Sequence, residues 1–297
     1  MSLNNNVIKI GTRKSKLALA QTQLVIDEIK RKFPDVIMQI VPMSTKGDRL
    51  VDKSLVEFGG KAVFVEEFEK AIMTKDIDMA VHSAKDMPME IMEGLVIAGT
   101  LKRACPKDVL IYKEGTNPCE IKEFVVGTSS LRRQYQIKNI YPNARCQNLR
   151  GNINTRLDKL KSGQYHAIIL AAAGIQRLGI DKEEGLHYEY LSEDDMVPAA
   201  CQAIIAVQTR KSGKAYEIAK AINDEETYTQ LLCERQVLKE LKAGCHEPIG
   251  AYSQLDNENV TITLMEVKGE DNHVIRKRVS GLRENYIELV KKIISDK

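Results

Sequence analysis

One short pattern occurs twice in the 297-residue chain and constrains its fold more than any other feature. The stretches IKIGTRKS (residues 8–15) and VVGTSSLR (residues 125–132) both read as a strand, a Gly-Thr turn and the start of a helix. After each copy, β-branched runs alternate with apolar residues at helical spacing, which predicts helices layered on a mostly parallel sheet. We therefore predict two domains of one α/β architecture, related as an internal repeat.

The repeat also sets the expected domain boundaries. We predict that residues 1–102, together with about 198–214, form the first α/β domain, and that residues 103–197 form the second. Beyond that point the pattern changes to two helices, three alternating strands and a terminal helix, which predicts a small α+β domain over residues 215–297. The expected fold class is α/β, with two periplasmic-binding-protein-like α/β domains and a small C-terminal α+β domain.

Composition excludes several classes of protein. The formal net charge is +3 at pH 7, which is too balanced for a dedicated nucleic-acid binder. No uncharged apolar stretch reaches the roughly 18 to 20 residues that a membrane-spanning helix needs, and we expect no signal peptide. The six cysteines are scattered without a Cys-x-x-Cys pair, so we expect reduced thiols and no metal site. These features predict a soluble cytoplasmic protein.

A concentration of arginines indicates an anionic ligand. Six of the 15 arginines lie between residues 132 and 177, several of them at predicted strand-to-helix turns. Helix N-termini and guanidinium groups bind carboxylates and phosphates, and open α/β sheets bind ligands at the carboxyl ends of their strands. The simpler alternative is that Thr12, Ser15 or Ser129 caps a helix while the arginines are solvated. The pattern favours a cleft for a polyanion but does not identify a reaction.

Two residues are candidates for chemistry. Asp86 follows a predicted strand in the turn VHSAKDMP, where a carboxylate could transfer protons or stabilise a cation. It could equally cap the turn and pair with Lys85. Cys245 lies in a loop bounded by glycine and proline, an unusual place for a core cysteine, so it is either a nucleophile or an incidental thiol. His82 is predicted to pack at the end of its strand rather than to act as a catalyst.

Six motifs show which family these features resemble. Along essentially the whole chain they are GTRKSKLALA (11–20), VHSAKDMP (81–88), GTSSLRR (127–133), LRGN (149–152), AAAGIQRLG (171–179) and GCHEPIG (244–250). Together they resemble the porphobilinogen deaminase family, also called the hydroxymethylbilane synthases. Six motifs in the family's order are far more specific than any one of them.

The resemblance implies a reaction and a cofactor. Four porphobilinogen molecules are condensed head to tail into linear hydroxymethylbilane with release of ammonia, a step of tetrapyrrole (heme) biosynthesis. A dipyrromethane cofactor, made from two substrate units, is held by a thioether to the loop cysteine, which by position is Cys245. We expect a monomer that acts on this small molecule, without nucleic acid or membrane partners.

The resemblance also implies roles for residues at the matching positions. Asp86 falls on the catalytic aspartate. The residues implied for binding the cofactor, besides Cys245, are Ser83, Lys85, Thr128, Ser130, Arg132 and Arg133. The residues implied for binding the substrate are Arg13, Ser15, Lys61, Phe64, Arg150, Arg156 and Arg177.

Some stretches depart from the family's usual sequence. The chain has Cys105-Pro106-Lys107-Asp108 in place of Asp-Pro-Arg-Asp, Cys201-Gln202-Ala203 in place of Gly-Gln-Gly, Gln208 in place of a glutamate and Ala62 in place of a glycine. These positions are expected near the domain connections and near a polar loop predicted over residues 43–60. They bear on hinge motion and turnover rate more than on the type of reaction.

Two other interpretations remain open on the residues alone. The two α/β lobes could form a non-catalytic anion-binding module, which would bind its ligand reversibly and would need neither Asp86 nor Cys245. A cysteine hydrolase would need Cys245 and His246 to point together, which adjacent residues rarely do, and an oxyanion hole that the sequence does not reveal. The intact mass of the protein distinguishes a covalently loaded synthase from an unmodified module.

Overall fold

A computed structural model describes residues 6–45, 65–244, 247–269 and 273–295. Predictions that fall on the other residues, including most of the loop expected over 43–60, lie outside the described residues. Within the described part of the chain, no helix has both the length and the apolar character that a membrane span requires.

The chain divides into two compact units, each built from two segments. Unit 1 consists of Met1–Arg103 and Ile204–Leu231, and unit 2 consists of Ala104–Ala203 and Leu232–Lys297. Each unit contains a five-stranded sheet with helices, and a third, three-stranded antiparallel sheet lies in unit 2. This arrangement confirms the predicted class of two α/β sheets with their helices and a small α+β element. The predicted division into three domains stays a prediction.

The described elements are numbered in chain order. The strands are β1 Val7–Arg13, β2 Ile37–Met43, β3 Met79–Ser83, β4 Leu95–Thr100, β5 Asp108–Lys113, β6 Phe124–Gly127, β7 Ala144–Gln147, β8 Ala167–Ala171, β9 Leu186–Tyr190, β10 Ile205–Arg210, β11 Gly250–Asp256, β12 Asn259–Lys268 and β13 His273–Leu282. The helices are α1 Lys16–Lys32, α2 Glu66–Met73, α3 Leu131–Ile140, α4 Ile153–Lys161, α5 Ala172–Arg177, α6 Lys214–Ala221, α7 Glu225–Glu240 and α8 Tyr286–Ser295, with short 3-10 helices at Ala84–Asp86 and Arg283–Asn285.

The strand orders of the two large sheets confirm the internal repeat. The sheet of unit 1 has the order β2-β1-β3-β10-β4, and the sheet of unit 2 has the order β7-β6-β8-β5-β9. The second strand of each sheet, β1 or β6, contains the glycine of the Gly-Thr turn. It lies between the next two strands of its repeat and pairs parallel with both. The two copies of the sequence pattern therefore occupy equivalent places in two equivalent sheets.

The fourth strand of each sheet corrects the prediction of mostly parallel sheets. Strand β10 pairs antiparallel with β3 and β4, and β5 pairs antiparallel with β8 and β9. Both strands follow a point where the chain passes from one unit to the other, so no helical crossover within the unit forces them to be parallel. The sequence analysis did not predict β7, β9 or β10.

The helices of unit 1 cover both faces of its sheet. On one face, α1 and α6 contribute Val25, Ile29 and Ile218 to a buried cluster. On the other face, α2 contributes Phe68 and Ile72 to a second cluster. Helix α1 forms over the predicted apolar periodicity, and Lys30, Arg31 and Lys32 in its last turn complement the negative end of the helix dipole.

The glycine of each Gly-Thr turn is required by close packing. A Cβ atom on Gly11 would lie 2.5 Å from Ile77 Cδ1, and one on Gly127 would lie 2.9 Å from the ring of Tyr165. Distances below about 3 Å are far inside van der Waals contact, which for carbon atoms lies near 3.5–4.0 Å. The repeated glycine thus lets a neighbouring side chain lie directly against the end of the strand.

The segment before β10 contains a strained backbone where the chain departs from the family pattern. Cys201 and Ala203 have φ angles of 61° and 72°, in the left-handed region that favours glycine. Ala200 lies in the same segment, is 7% exposed like Ala203, and does not have a positive φ. The two alanines therefore form a matched pair for measuring the strain.

We expect Ala203→Gly and Ala200→Gly to have different effects on the free energy of unfolding. Both substitutions remove one buried methyl group, and both increase the conformational entropy of the unfolded chain. Only Ala203→Gly also removes the cost of a left-handed backbone at a residue with a Cβ atom, which is roughly 1–2 kcal/mol. Urea denaturation should therefore show Ala203→Gly to be the more stable variant by about that amount. Equal unfolding free energies for the two variants would contradict this account.

Candidate functional site

Four of the predicted site residues line one cavity in unit 1. Arg13, Ser15, Ser83 and Asp86 surround a volume of about 90 Å³. Arg13 ends β1, Ser83 ends β3, and Asp86 lies in the 3-10 helix that follows β3. Because β1 and β3 are parallel neighbours, their carboxyl ends lie at the same edge of the sheet. The cavity therefore combines a guanidinium, hydroxyl groups and a carboxylate. Lys85 is half-buried in the same turn.

Ser15 has a structural contact besides its place in the cavity. Its hydroxyl accepts a hydrogen bond from the Ala18 N–H at 3.2 Å, so the alternative that Ser15 caps α1 is confirmed. Gln21 is a cavity residue that the sequence analysis missed: its Nε2 lies 3.0 Å from Ser83 Oγ. The available signal was a polar side chain on the buried face of an amphipathic helix, where Gln21 is 4% exposed.

His82 is packed at the end of β3, as predicted. Its ring contacts Phe68 edge to face, with centroids 5.4 Å apart and planes at 89°. Its Nε2 lies 3.1 Å from Gln208 Oε1. Burial lowers the pKa of His82, the hydrogen bond to Gln208 offsets part of this effect, and the positive charge of Arg13 also lowers the pKa, which together bring it to about 4. The imidazole is therefore neutral at pH 7.

In unit 2, two predicted arginines share one buried aspartate. Arg132 Nη2 lies 2.7 Å from Asp108 Oδ2, and Arg133 Nη2 lies 2.7 Å from Asp108 Oδ1. Arg132 also donates to the Val197 carbonyl, and Arg133 donates to the Ile169 carbonyl. These contacts give both arginines a structural role in unit 2. Their assignment to the cofactor stays a prediction.

The electrostatics of this cluster leave an excess of positive charge. Burial on its own would raise the pKa of Asp108, but the two guanidinium groups outweigh it and hold that pKa well below its usual range. Asp108 is therefore ionised, and one carboxylate faces two buried cations. A second anion near the cluster would complete the charge balance, since buried charges are normally paired.

Hydroxyl groups precede the helix that carries these arginines. Ser130 is the N-cap residue of α3 but makes no side-chain capping bond, and Thr128 Oγ1 accepts from the Ser130 N–H at 3.2 Å. Ser129 donates to the Leu149 carbonyl at 3.0 Å. The alternative that Ser129 caps this helix is therefore wrong, because its hydroxyl is bonded to a neighbouring turn.

The other predicted arginines of unit 2 lie on separate segments, and Arg177 lies at the end of a helix rather than at the predicted strand-to-helix turn. Arg156, on α4, donates from Nε to the Gly151 carbonyl at 2.7 Å. Arg177 ends α5 and donates to the Ala203 carbonyl at 2.6 Å. Burial lowers the pKa of Arg177 to about 10, which leaves it protonated at neutral pH. Arg150 is half-buried in the turn between β7 and α4.

Three predicted site residues, Lys61, Phe64 and Cys245, lie outside the described residues. Asp108, the common partner of Arg132 and Arg133, was missed as a site residue, although an aspartate opening the apolar run DVLIY was a visible signal. No group of three or more His, Cys, Asp or Glu side chains within the described ranges is arranged to hold a metal ion.

These features define an α/β protein whose strand ends present arginines, hydroxyl groups and a carboxylate, as proteins that bind small anionic molecules do. Residues 8–217 match the family model described as "Porphobilinogen deaminase, dipyromethane cofactor binding domain". Residues 228–296 match the model described as "Porphobilinogen deaminase, C-terminal domain". The chain belongs to the porphobilinogen deaminase family.

Individual members of this family are similar in sequence to this protein over most of its length. A porphobilinogen deaminase of Ruminiclostridium josui is 38% identical over 294 residues, which is 98% of either protein. One from Acetivibrio thermocellus is 42% identical over 86% of both chains. A probable porphobilinogen deaminase of Archaeoglobus fulgidus is 44% identical over 82% of this chain and 83% of its own length.

Among solved structures, the periplasmic VFT2 domain of Bordetella pertussis BvgS is similar with a TM-score of 0.43 and 13% identity. The similarity covers 76% of this chain and 92% of that domain.

Proposed function

We propose that this enzyme is a transferase that condenses four porphobilinogen molecules head to tail into hydroxymethylbilane. In each addition the bond between the aminomethyl carbon and nitrogen of porphobilinogen breaks and ammonia leaves. A carbon–carbon bond forms to the free pyrrole carbon of the growing chain, which loses a proton. Water enters when the finished tetrapyrrole is released, so no oxidant or reductant is needed. The observation that carries the proposal is the cavity that joins Arg13, Ser83 and Asp86 in a member of this family.

The proposed roles in the cavity follow from charge. As ammonia leaves, positive charge develops on the substrate as an azafulvene cation, and the Asp86 carboxylate at the cavity stabilises it electrostatically. Asp86 also takes up and returns protons at the amine and pyrrole nitrogens. Arg13 holds the acetate or propionate group of the substrate, because a guanidinium binds a carboxylate in a bidentate fork.

The residues of unit 2 fit a cofactor that carries several carboxylates. Arg132 and Arg133 share the single carboxylate of Asp108, so their cluster carries one positive charge in excess, which favours a further anion nearby. We propose that the cofactor is attached through a thioether at Cys245 and bound by Ser83, Lys85, Thr128, Ser130, Arg132 and Arg133. Bound dipyrromethane supplies the pyrrole carbon to which the first substrate carbon is joined.

The remaining predicted residues bind substrate in this proposal. Each addition brings two more carboxylates, so the growing chain needs cationic partners beyond those of the cofactor. We assign this role to Ser15, Arg150, Arg156 and Arg177, and also to Lys61 and Phe64. Arg177 is suited to it because it remains protonated at neutral pH in a partly buried place.

We further propose that the enzyme works as a monomer in the cytoplasm, on a small molecule alone. The near balance of acidic and basic residues supports the absence of a nucleic-acid partner. The cysteines that the structure describes, at 105, 119, 146, 201 and 233, form no disulfide bond, which agrees with a reducing compartment.

Intact mass under denaturing conditions tests the function and the attachment site together. We expect the wild-type protein, after incubation with porphobilinogen, to carry an adduct equal to two porphobilinogens less two molecules of ammonia. Cys245→Ser should remove the adduct and the activity. Cys119→Ser, which changes an exposed thiol, is the matched control and should keep both. An adduct mapped to another cysteine would refute the attachment site, and an unmodified, inactive wild-type protein would refute the proposed function.

A further inference from the structure

A buried chain of polar side chains lies beside the cavity of unit 1. It runs from Glu69 on α2 through Gln208 on β10 to His82 on β3. Glu69 Oε1 lies 2.8 Å from Gln208 Nε2, and Gln208 Oε1 lies 3.1 Å from His82 Nε2. Glu69 is 5% exposed, Gln208 is 0% exposed and His82 is 7% exposed. Gln208 is 126 and 139 positions away from the other two residues, and none of the three was predicted to have a role in the site.

The donors and acceptors on either side of Gln208 determine how its side-chain amide is oriented. Glu69 Oε1 accepts the Met92 N–H at 3.2 Å, and it also faces the amide group of Gln208. The Gln208 amide nitrogen must therefore point to Glu69, which leaves the amide oxygen pointing to His82. An amide oxygen can only accept, so the proton of the imidazole is on Nε2. The other ring nitrogen, Nδ1, then carries a lone pair.

The groups around His82 keep it uncharged. Helix α2 places the ring of Phe68 against it, and the carboxylate of Glu69 is separated from it by the Gln208 amide. Strand β1 contributes the positive charge of Arg13, which disfavours a second cation. His82 lines the same cavity as Arg13, Ser83 and Asp86. Its protonation state therefore determines whether the cavity wall carries one cation or two.

We propose that Glu69 and Gln208 are positioning residues for the reaction because they hold His82 as a neutral, Nε2-protonated imidazole in the cavity wall. This inference rests on the proposed function. The aminomethyl group and the pyrrole nitrogen of porphobilinogen both present N–H donors to the cavity. A neutral His82 neither repels the protonated amine nor pairs with Asp86, so the Asp86 carboxylate acts on the substrate.

Exchanging the two side chains tests the proposal. The double variant E69Q/Q208E keeps the net charge and the atom types but places the carboxylate directly against His82. An adjacent carboxylate favours the imidazolium and raises the pKa from about 4 to near the ordinary histidine value of about 6.5. We expect kcat of the loaded double variant to approach that of wild type at pH 8. Relative to wild type it should then fall, on the order of tenfold, as the pH is lowered to 5.5. Parallel profiles for the two proteins would overturn the proposal.

Gln208→Met is the matched control for packing. It removes the hydrogen-bond acceptor without bringing a carboxylate to His82, so no new acidic limb should appear in its pH profile. If kcat of Gln208→Met fell at low pH as much as kcat of the double variant, the proposal would be overturned. The fall could not then be caused by a carboxylate at position 208.

A second measurement does not depend on a folded double variant or on turnover. In wild-type protein with 15N-labelled histidine, the His82 signals are identified by their loss in His82→Gln. Long-range proton–nitrogen spectra should show a proton on Nε2 and none on Nδ1, unchanged between pH 8 and pH 5.5. Protonation of Nδ1, or titration near the ordinary histidine value of about 6.5, would overturn the inference. If wild type does not consume porphobilinogen, the proposed function fails while this measurement still decides the state of His82.

Discussion

Replacement of Asp86 by asparagine is expected to lower the turnover of the fully loaded enzyme by about 100-fold or more. Asparagine keeps the shape of the side chain but removes the negative charge that, in the proposed function, offsets the cation formed as ammonia leaves. The turn should persist, because it is closed by a backbone hydrogen bond from Met87 N–H to the Ala84 carbonyl and the Asp86 side chain is exposed. Turnover is measured as porphobilinogen consumption, with the extent of cofactor loading determined by intact mass.

Glu90→Gln is the control for this prediction. Glu90 is an exposed carboxylate four residues further along, and it is not among the residues that line the cavity. Its replacement removes the same charge from the same region, so a general change in surface potential would affect both variants alike. We expect Glu90→Gln to keep nearly full activity. Near-normal turnover of loaded Asp86→Asn would reject the role assigned to Asp86.

The second large effect is expected on stability, from Asp108→Asn. This change leaves the guanidinium groups of Arg132 and Arg133 buried without the charge that pairs them. Breaking a buried ion pair by removing one partner commonly lowers the free energy of unfolding by about 3–5 kcal/mol. Urea denaturation at pH 7 measures the loss. Glu123→Gln is the control, because its ion pair with Arg145 is exposed, with 55% and 66% of the two side chains accessible, and we expect little change.

The pH dependence of this loss is also fixed by the structure. The arginines hold the pKa of Asp108 below its value in the unfolded chain, which is about 3.9 for an aspartate. Its stabilisation is therefore fully present above roughly pH 4 and is lost as the pH falls through the folded-state pKa. The difference between wild type and Asp108→Asn should be the same at pH 5 and at pH 8. A difference that shrinks over this range would assign the stabilisation to another titrating group.

The sequence by itself determined the features that depend on neighbouring residues. The period of apolar positions and the Gly-Thr turns were sufficient to predict that Arg13 and Asp86 lie at strand ends, and that residues 8–15 and 125–132 occupy equivalent places. The reason is that strand and helix periodicity, turn chemistry and helix starts are all set within a few residues of the chain. The six family motifs then indicated the family, because they fix residue types in one order along essentially the whole chain.

Only the tertiary structure decided which distant residues meet. Strand β10 enters the sheet of unit 1 antiparallel, and that register places Gln208 between His82 and Glu69, which are 126 and 139 positions away in sequence. Asp108 similarly meets Arg133 across 25 positions. Such pairings depend on strand order and on the closure of long loops, which local propensity does not encode. For the same reason, the charge state of His82 and the left-handed backbone at Ala203 could be read only after the chain was folded.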